Sequence, residues 1–383
     1  MEKNNLPSIL IFFLIFIQCQ QTPTSPLNLR WSEERAWEWK EENGWMVGAN
    51  FNPSTSINQL EFWQENTYDT ETIERELEWS AELGMNLHRV YLHNLLWDQD
   101  SLGLLKRVEN YLKIADSNDI KTLFVLLDDC WHPLPKLGKQ PDPIPFVHNS
   151  QWVQAPGAYI LGDSLRHIEV KNYIKGVVTH FADDQRVIGW DLYNEPGNLN
   201  AGVPGYDEFE VKENKDIYTL SLLKKAFKWV REVNPSQPIT TSVWKADGKD
   251  KNWSKLDSLS DLSRFTISNS DIISFHTYGN IDEMRLRINQ LKKYNRPILC
   301  TEYLARGQGS TFQAMLPLLK EEQVSAINWG FVAGKTNTLF PWSSWEEEFD
   351  SLPKIWHHDI FLPDKTPYDQ NEIDFLKEIL LTN

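Results

Sequence analysis

The chain is poor in cations. It has 38 Lys and Arg against 54 Asp and Glu, for a formal net charge of -16. A surface of that sign repels a phosphate backbone, which excludes general nucleic-acid binding and disfavours strongly polyanionic ligands unless a local basic cluster reverses the field; none is visible. Cysteine is scarce, with three in 383 residues and no Cys-x-x-Cys pair, so a thiolate metal centre is excluded. No apolar run reaches the roughly 20 residues a membrane-spanning helix needs. There is no Gly-x-Ser-x-Gly nucleophile motif, and Arg306-Gly307-Gln308-Gly309 lacks the third glycine of a dinucleotide fingerprint. Asp128, Asp129 and His132, like His357-His358-Asp359, lack the spacing of a defined metal geometry. No cofactor or metal is expected.

The start of the chain reads as an export segment. Lys3 stands in a short polar head, and Leu6 to Ile17 is mostly apolar. Phe16-Ile17-Gln18-Cys19 resembles a bacterial lipoprotein acylation site, with Gln in place of the usual small residue before the Cys. Either Cys19 is lipidated or it is discarded with an ordinary secretory signal. Residues 20–26 are polar and contain proline, as a tether should be. The expected organisation is therefore 1–18 signal peptide, 19–30 tether and 31–383 a single domain, exported as a periplasmic or cell-surface lipoprotein or else secreted. The only membrane contact expected is that lipid.

Aromatics are what the chain has in excess: 17 Trp, more than a core alone calls for. Short β-branched and aromatic runs alternate with helical patterns, the signature of a parallel sheet with helical crossovers. The runs are Trp45–Asn52, Asn86–His93, Lys121–Asp128, Val187–Tyr193, Pro238–Trp244, Ile272–Tyr278, Pro297–Tyr303 and Ser325–Phe331. Eight such runs predict a (β/α)8 TIM barrel. Helices are expected between them, starting at a cap on Asp69 or Thr70, with a mostly polar stretch over 247–270 as the weakest crossover. Cys130 and Cys300 then fall across the barrel from each other, beyond disulfide reach, as buried free thiols.

Long loops follow the third and fourth strands, over 130–162 and 196–216, on the face where barrels build their sites. Trp131, Trp152 and Tyr159 lie in the first, and Trp342 and Trp345 follow the last strand. Two carboxylates end strands on that face: Glu195 in Trp190-Asp191-Leu192-Tyr193-Asn194-Glu195-Pro196, and Glu302 in Leu299-Cys300-Thr301-Glu302-Tyr303. A carboxylate at the end of an apolar strand is costly to bury unless it is used, and a pair of them suits acid/base chemistry. Retaining glycosidic cleavage needs such a pair about 5–5.5 Å apart.

On these residues the chain resembles glycoside hydrolase clan A, nearest in pattern to family 5, over about residues 31–383. Asn194-Glu195-Pro196 matches the clan's acid/base motif, and Glu302 matches its nucleophile. The resemblance also implies that Arg89 supports the nucleophile, that His276 and Tyr278 are the family's His-x-Tyr, and that Trp329 is a sugar platform. Asn194 would donate to a sugar 2-hydroxyl and Tyr278 would hold Glu302. The family often carries a His after the third strand, where this chain reads Asp128-Asp129-Cys130-Trp131-His132-Pro133. Either His132 fills that place from a shifted position or the Asp pair replaces it, so His132 or Asp128, beside Trp131, is expected on sugar hydroxyls. The activity implied is retaining hydrolysis of a neutral β-linked oligosaccharide or polysaccharide by a monomer, without cofactor. A glycan-binding lipoprotein with little turnover, or a transglycosylase using the same carboxylates, is the alternative.

Overall fold

The computed structural model describes residues 30–200 and 215–382; the expected signal, tether and Cys19 lie outside them. The strands are β1 Val47–Asn50, β2 Leu87–Tyr91, β3 Lys121–Val125, β4 Val187–Asp191, β5 Ile239–Thr240, β6 Ser242–Val243, β7 Ile273–His276, β8 Ile298–Glu302 and β9 Ser325–Asn328. They pair in parallel in the order β5-β4-β3-β2-β1-β9-β8-β7-β6. The two ends of that order, β5 and β6, are separated in the chain by Thr241 alone, so they are two halves of one bent strand and the sheet closes into a ring. Each of the eight expected runs thus holds a strand, the fifth in two pieces, and the fold is a (β/α)8 barrel.

The helices are α1 Glu33–Asn43, α2 Gln59–Trp63, α3 Thr70–Glu82, α4 Asn94–Ser117, α5 Ala158–Leu161, α6 His167–His180, α7 Lys215–Val233, α8 Asp261–Asn269, α9 Ile281–Leu291, α10 Phe312–Glu321 and α11 Gln370–Leu381. Asp69 caps α3 by accepting from the Thr72 N–H at 3.1 Å, and Thr311 caps α10 through Ala314 N–H at 3.2 Å. The polar 247–270 segment forms α8 after two single turns of 3-10 helix, with Ser260 as its cap. Its apolar face is carried by few residues, Leu262 and Ile267 among them, which is why its periodicity is weak.

Three helices are extra to the barrel repeat: α2 and α5 are short and lie in loops, and α1 precedes the first strand. Helix α1 closes the floor: Trp31, Ala36 and Trp39 pack on Met46, Leu87, Leu123, Ile188, Leu299 and Ile327, which lie at or near the N-terminal ends of the strands. Trp39 Nε1 donates to the Ile188 carbonyl at 3.2 Å, and Arg30 Nε donates to the Ser270 carbonyl at 2.6 Å. With the floor sealed, the opposite, C-terminal end is the open face. No helix among the described residues is long and apolar enough to cross a membrane.

Candidate active site

Parallel register places the site residues. Asn50 pairs with Arg89, and His276 pairs with Glu302 across β7 and β8, so these side chains emerge at one level of the open face. Glu195 follows β4 with a φ of 42°, a left-handed backbone that a non-glycine residue adopts only when its surroundings hold it there. That backbone is anchored by Asp129, which accepts from the Gly197 N–H at 2.7 Å, Tyr193 hydroxyl at 2.8 Å and Thr219 hydroxyl at 2.9 Å. Ligating atoms of Glu195, Glu302 and His276 all lie within 4.8 Å of one another.

The two carboxylates sit in different surroundings. Glu302 is 4% exposed, and its Oε1 accepts from Arg89 Nη1 at 2.9 Å and the Tyr91 hydroxyl at 3.0 Å. Its Oε2 accepts from the Tyr278 hydroxyl at 2.7 Å. Arg89 is itself fully buried and held flat by Asp191 at 2.8 and 3.0 Å, Asn50 at 2.8 Å and Asn194 at 2.8 Å. A guanidinium fixed in this way supplies a permanent positive charge to Glu302. Among the described residues no Lys or Arg pairs with Glu195 in this way. Its Oε2 accepts from Asn198 Nδ2 at 2.7 Å and from the Cys130 thiol at 3.2 Å, while Oε1 shares a hydrogen bond with His276 Nδ1 at 3.0 Å. Burial raises its pKa above the usual carboxylate value, against the pull of those donors.

His276 is held neutral: burial drives its pKa down to about 3, and Nδ1 lies 3.4 Å from Glu302 Oε2 as well. The Glu195, His276 and Glu302 cluster has the residue types of a metal site, but Glu302 is already neutralised by Arg89, a cation that would repel a bound ion. The set is better suited to moving protons.

The aromatic floor is Trp329, partly exposed and packed edge-on against Tyr91 at 5.8 Å and Trp152 at 5.7 Å. A cavity behind it, lined by Trp329, Trp152, Tyr91 and Asn50 among others, includes neither Glu195 nor Glu302 and belongs to that floor. Trp131 stands on the rim and stacks on Trp345.

One sequence-based expectation is revised. Asp128 does not face a sugar: it is 1% exposed, and its oxygens accept from Gln59, Trp152, the Cys130 N–H and Asn194. Those four donors leave no lone pair for a ligand, so Asp128 positions Asn194 instead. His132 turns to its own loop, where Nδ1 accepts from the Leu134 N–H at 3.1 Å. The group beside the Glu195 carboxylate is Cys130. Its place two residues beyond the third run is the available signal, although the sequence reads it only as a buried free thiol. Tyr91 was also missed, although it lies two residues beyond Arg89 and so on the same face of β2. Both Cys130 and Cys300 are buried free thiols, Cys130 just beyond β3 and Cys300 within β8.

A family profile described as Cellulase (glycosyl hydrolase family 5) matches residues 47–334. No curated protein matches the chain. Among solved structures, GH5_18 from Streptomyces cattleya, in complex with GlcNAc, is 12% identical with a TM-score of 0.57, over 88% of this chain and 80% of that one. An exo-β-1,4-mannosidase from Opitutaceae bacterium strain TAV5 is 15% identical with a TM-score of 0.56, over 87% of this chain and 59% of that one. An endo-1,4-β-D-mannanase from Thermotoga petrophila RKU-1 is 12% identical with a TM-score of 0.52, over 87% and 99%.

Proposed function

Because the chain belongs to glycosyl hydrolase family 5 and is a glycosidase of O-glycosyl compounds, we propose that it cleaves a neutral β-linked glycoside by double displacement, with Glu302 as nucleophile and Glu195 as acid/base. The observation that carries this reading is the asymmetry of two carboxylates whose atoms approach within 4.8 Å: one is paired with a buried Arg, and the other is partly exposed and, among the described residues, has no Lys or Arg paired with it. Glu302 Oε1 is occupied by two donors, whereas Oε2 has Tyr278 alone and faces Glu195, so Oε2 attacks the anomeric carbon. Glu195 gives its proton to the departing glycosidic oxygen as the bond to the anomeric carbon breaks. In the second half, Glu195 takes a proton from water, whose oxygen displaces Glu302 from the glycosyl ester. The cation that the described residues place beside these carboxylates, Arg89, is already committed to Asp191 and Glu302, which favours a neutral sugar over an acidic one.

Incubation with a mechanism-based fluoroglycoside of matching configuration, followed by peptide mapping, tests the assignment. A glycosyl adduct on Glu302 is expected; an adduct on another residue overturns it. A protein that only captures glycans would show no adduct, and a transglycosylase would yield products longer than its substrate. β-Mannosides head the panel because an exo-mannosidase and an endo-mannanase are among the similar structures, with β-glucosides and β-xylosides alongside. Export with a lipid on Cys19 is part of the proposal; the intact mass of the native N-terminal peptide checks it.

A further inference from the structure

Three loops on the open face are tied into one wall. The segment after β3 reaches the segment after β9: Asn149 N–H donates to the Thr336 carbonyl at 2.7 Å and His148 N–H to Ser344 Oγ at 2.9 Å. Trp131 stacks on Trp345, with ring planes 19° apart. The segment after β1 joins them, through Lys335 N–H to the Ser54 carbonyl at 3.0 Å and Asn58 Nδ2 to the Gln151 carbonyl at 2.8 Å. Since β3, β2, β1 and β9 are consecutive in the ring, the wall covers that whole sector. It continues past β9 to Trp342, which packs edge-on against Tyr278 at 5.0 Å, the tyrosine that holds the nucleophile. Main-chain hydrogen bonds and packed, partly exposed rings set this wall in place, in contrast to a loop held by its tip.

The chemistry orients the substrate against it. The leaving group must lie where Glu195 can protonate it, over β4, with Trp244 at the end of β6 hydrogen-bonded to the Pro196 carbonyl at 3.1 Å beside it. With the leaving group over β4 and Trp329 as the platform, the far end of the sugar being transferred would be directed toward β1 and β2, into the wall. We infer that the site admits a single sugar ring on the glycone side, so that the enzyme removes terminal units from non-reducing chain ends instead of cutting within a polymer. The inference rests on the assignment of Glu195 and Glu302 above.

The test uses β-linked oligosaccharides of the hydrolysed sugar, labelled at the reducing end, with the terminal non-reducing sugar free or capped by a bulky ether. The full-length enzyme is expected to release monosaccharide stepwise and to cleave the free form at least roughly a hundredfold faster than the capped form. Equal cleavage of both, or internal fragments as first products, overturns the inference while leaving the carboxylate assignment intact. If no adduct forms on Glu302 and no glycoside is cleaved, both fall together. A Trp131→Ala, Trp345→Ala variant, confirmed folded by circular dichroism, is expected to narrow the free-to-capped ratio at least roughly tenfold; an unchanged ratio in the folded variant removes the wall as its cause.

Discussion

The Cys130 thiol donates a hydrogen bond to Glu195 Oε2 at 3.2 Å, and burial raises its pKa well above the ordinary thiol value, so it stays protonated as a donor. Asn198 Nδ2 touches both, at 3.3 Å from the sulfur and 2.7 Å from the oxygen. With two donors on Oε2, the proton to be transferred belongs on Oε1, the oxygen facing His276 and Glu302. The thiol lowers the Glu195 pKa and is a positioning residue for it. Cys130→Ala is expected to move the basic limb of the kcat/KM pH profile upward by about half a unit, the scale of one weak hydrogen bond to a charged group. It should also slow alkyl glycosides, which need acid help, more than activated aryl glycosides. Cys130→Ser should restore both. An unmoved limb and equal losses on the two substrate types would count against the role.

Removing either carboxylate should lower the rate by at least roughly a hundredfold on an unactivated substrate. The two losses should differ under rescue. With azide present, Glu302→Ala is expected to form an α-glycosyl azide, whereas Glu195→Ala forms a β-glycosyl azide from an activated substrate. Product configuration by NMR is the readout, and a reversed pattern would exchange the two assignments.

Arg89 is fully buried between Asp191 and Glu302. Truncation to Leu leaves two buried carboxylates without their cation, with an expected loss of about 3–5 kcal/mol in stability by chemical denaturation. Arg89→Lys keeps a charge but not a planar fork able to reach Asp191, Asn194, Asn50 and Glu302 together. It should fold and yet lose activity by at least roughly tenfold. Full activity in the Lys variant would mean that charge alone suffices.

Buried groups set a stability optimum. Burial lowers His88, His93, His276 and His357 to about 3 and His148 to about 4. Below about pH 6.5 the unfolded chain binds protons that these rings refuse, so stability falls as pH falls. Burial raises Glu76 and Asp359 to about 7. The folded chain holds those protons after the unfolded chain has released them, so stability also falls as pH rises toward 8. A maximum in thermal midpoint between about pH 6 and 7 is expected from a calorimetric series. A midpoint still climbing beyond about pH 8 would contradict it.

The barrel was legible because its strands are buried on both faces and so read as near-continuous apolar runs. Glu195 and Glu302 were legible for a related reason, as carboxylates ending apolar strands, whereas Arg89 and Tyr278 came only from the resemblance to the family. What stayed hidden depended on loops. Whether Asp128 or Cys130 faces the acid carboxylate is decided by the path of the segment after β3, which periodicity does not describe. The wall depends on partners far apart in the chain, such as Asn149 with Thr336 or Trp131 with Trp345, and no local pattern marks such pairs. Helix α1 was missed because it plugs the floor and repeats no strand-helix unit.

That plug fixes the direction in which the molecule faces. Trp31 and Trp39 seat the start of the described chain under the strands, so Arg30 lies at the end of the barrel remote from Glu195 and Glu302. An attachment made at Arg30 would therefore leave the open mouth of the barrel unobstructed.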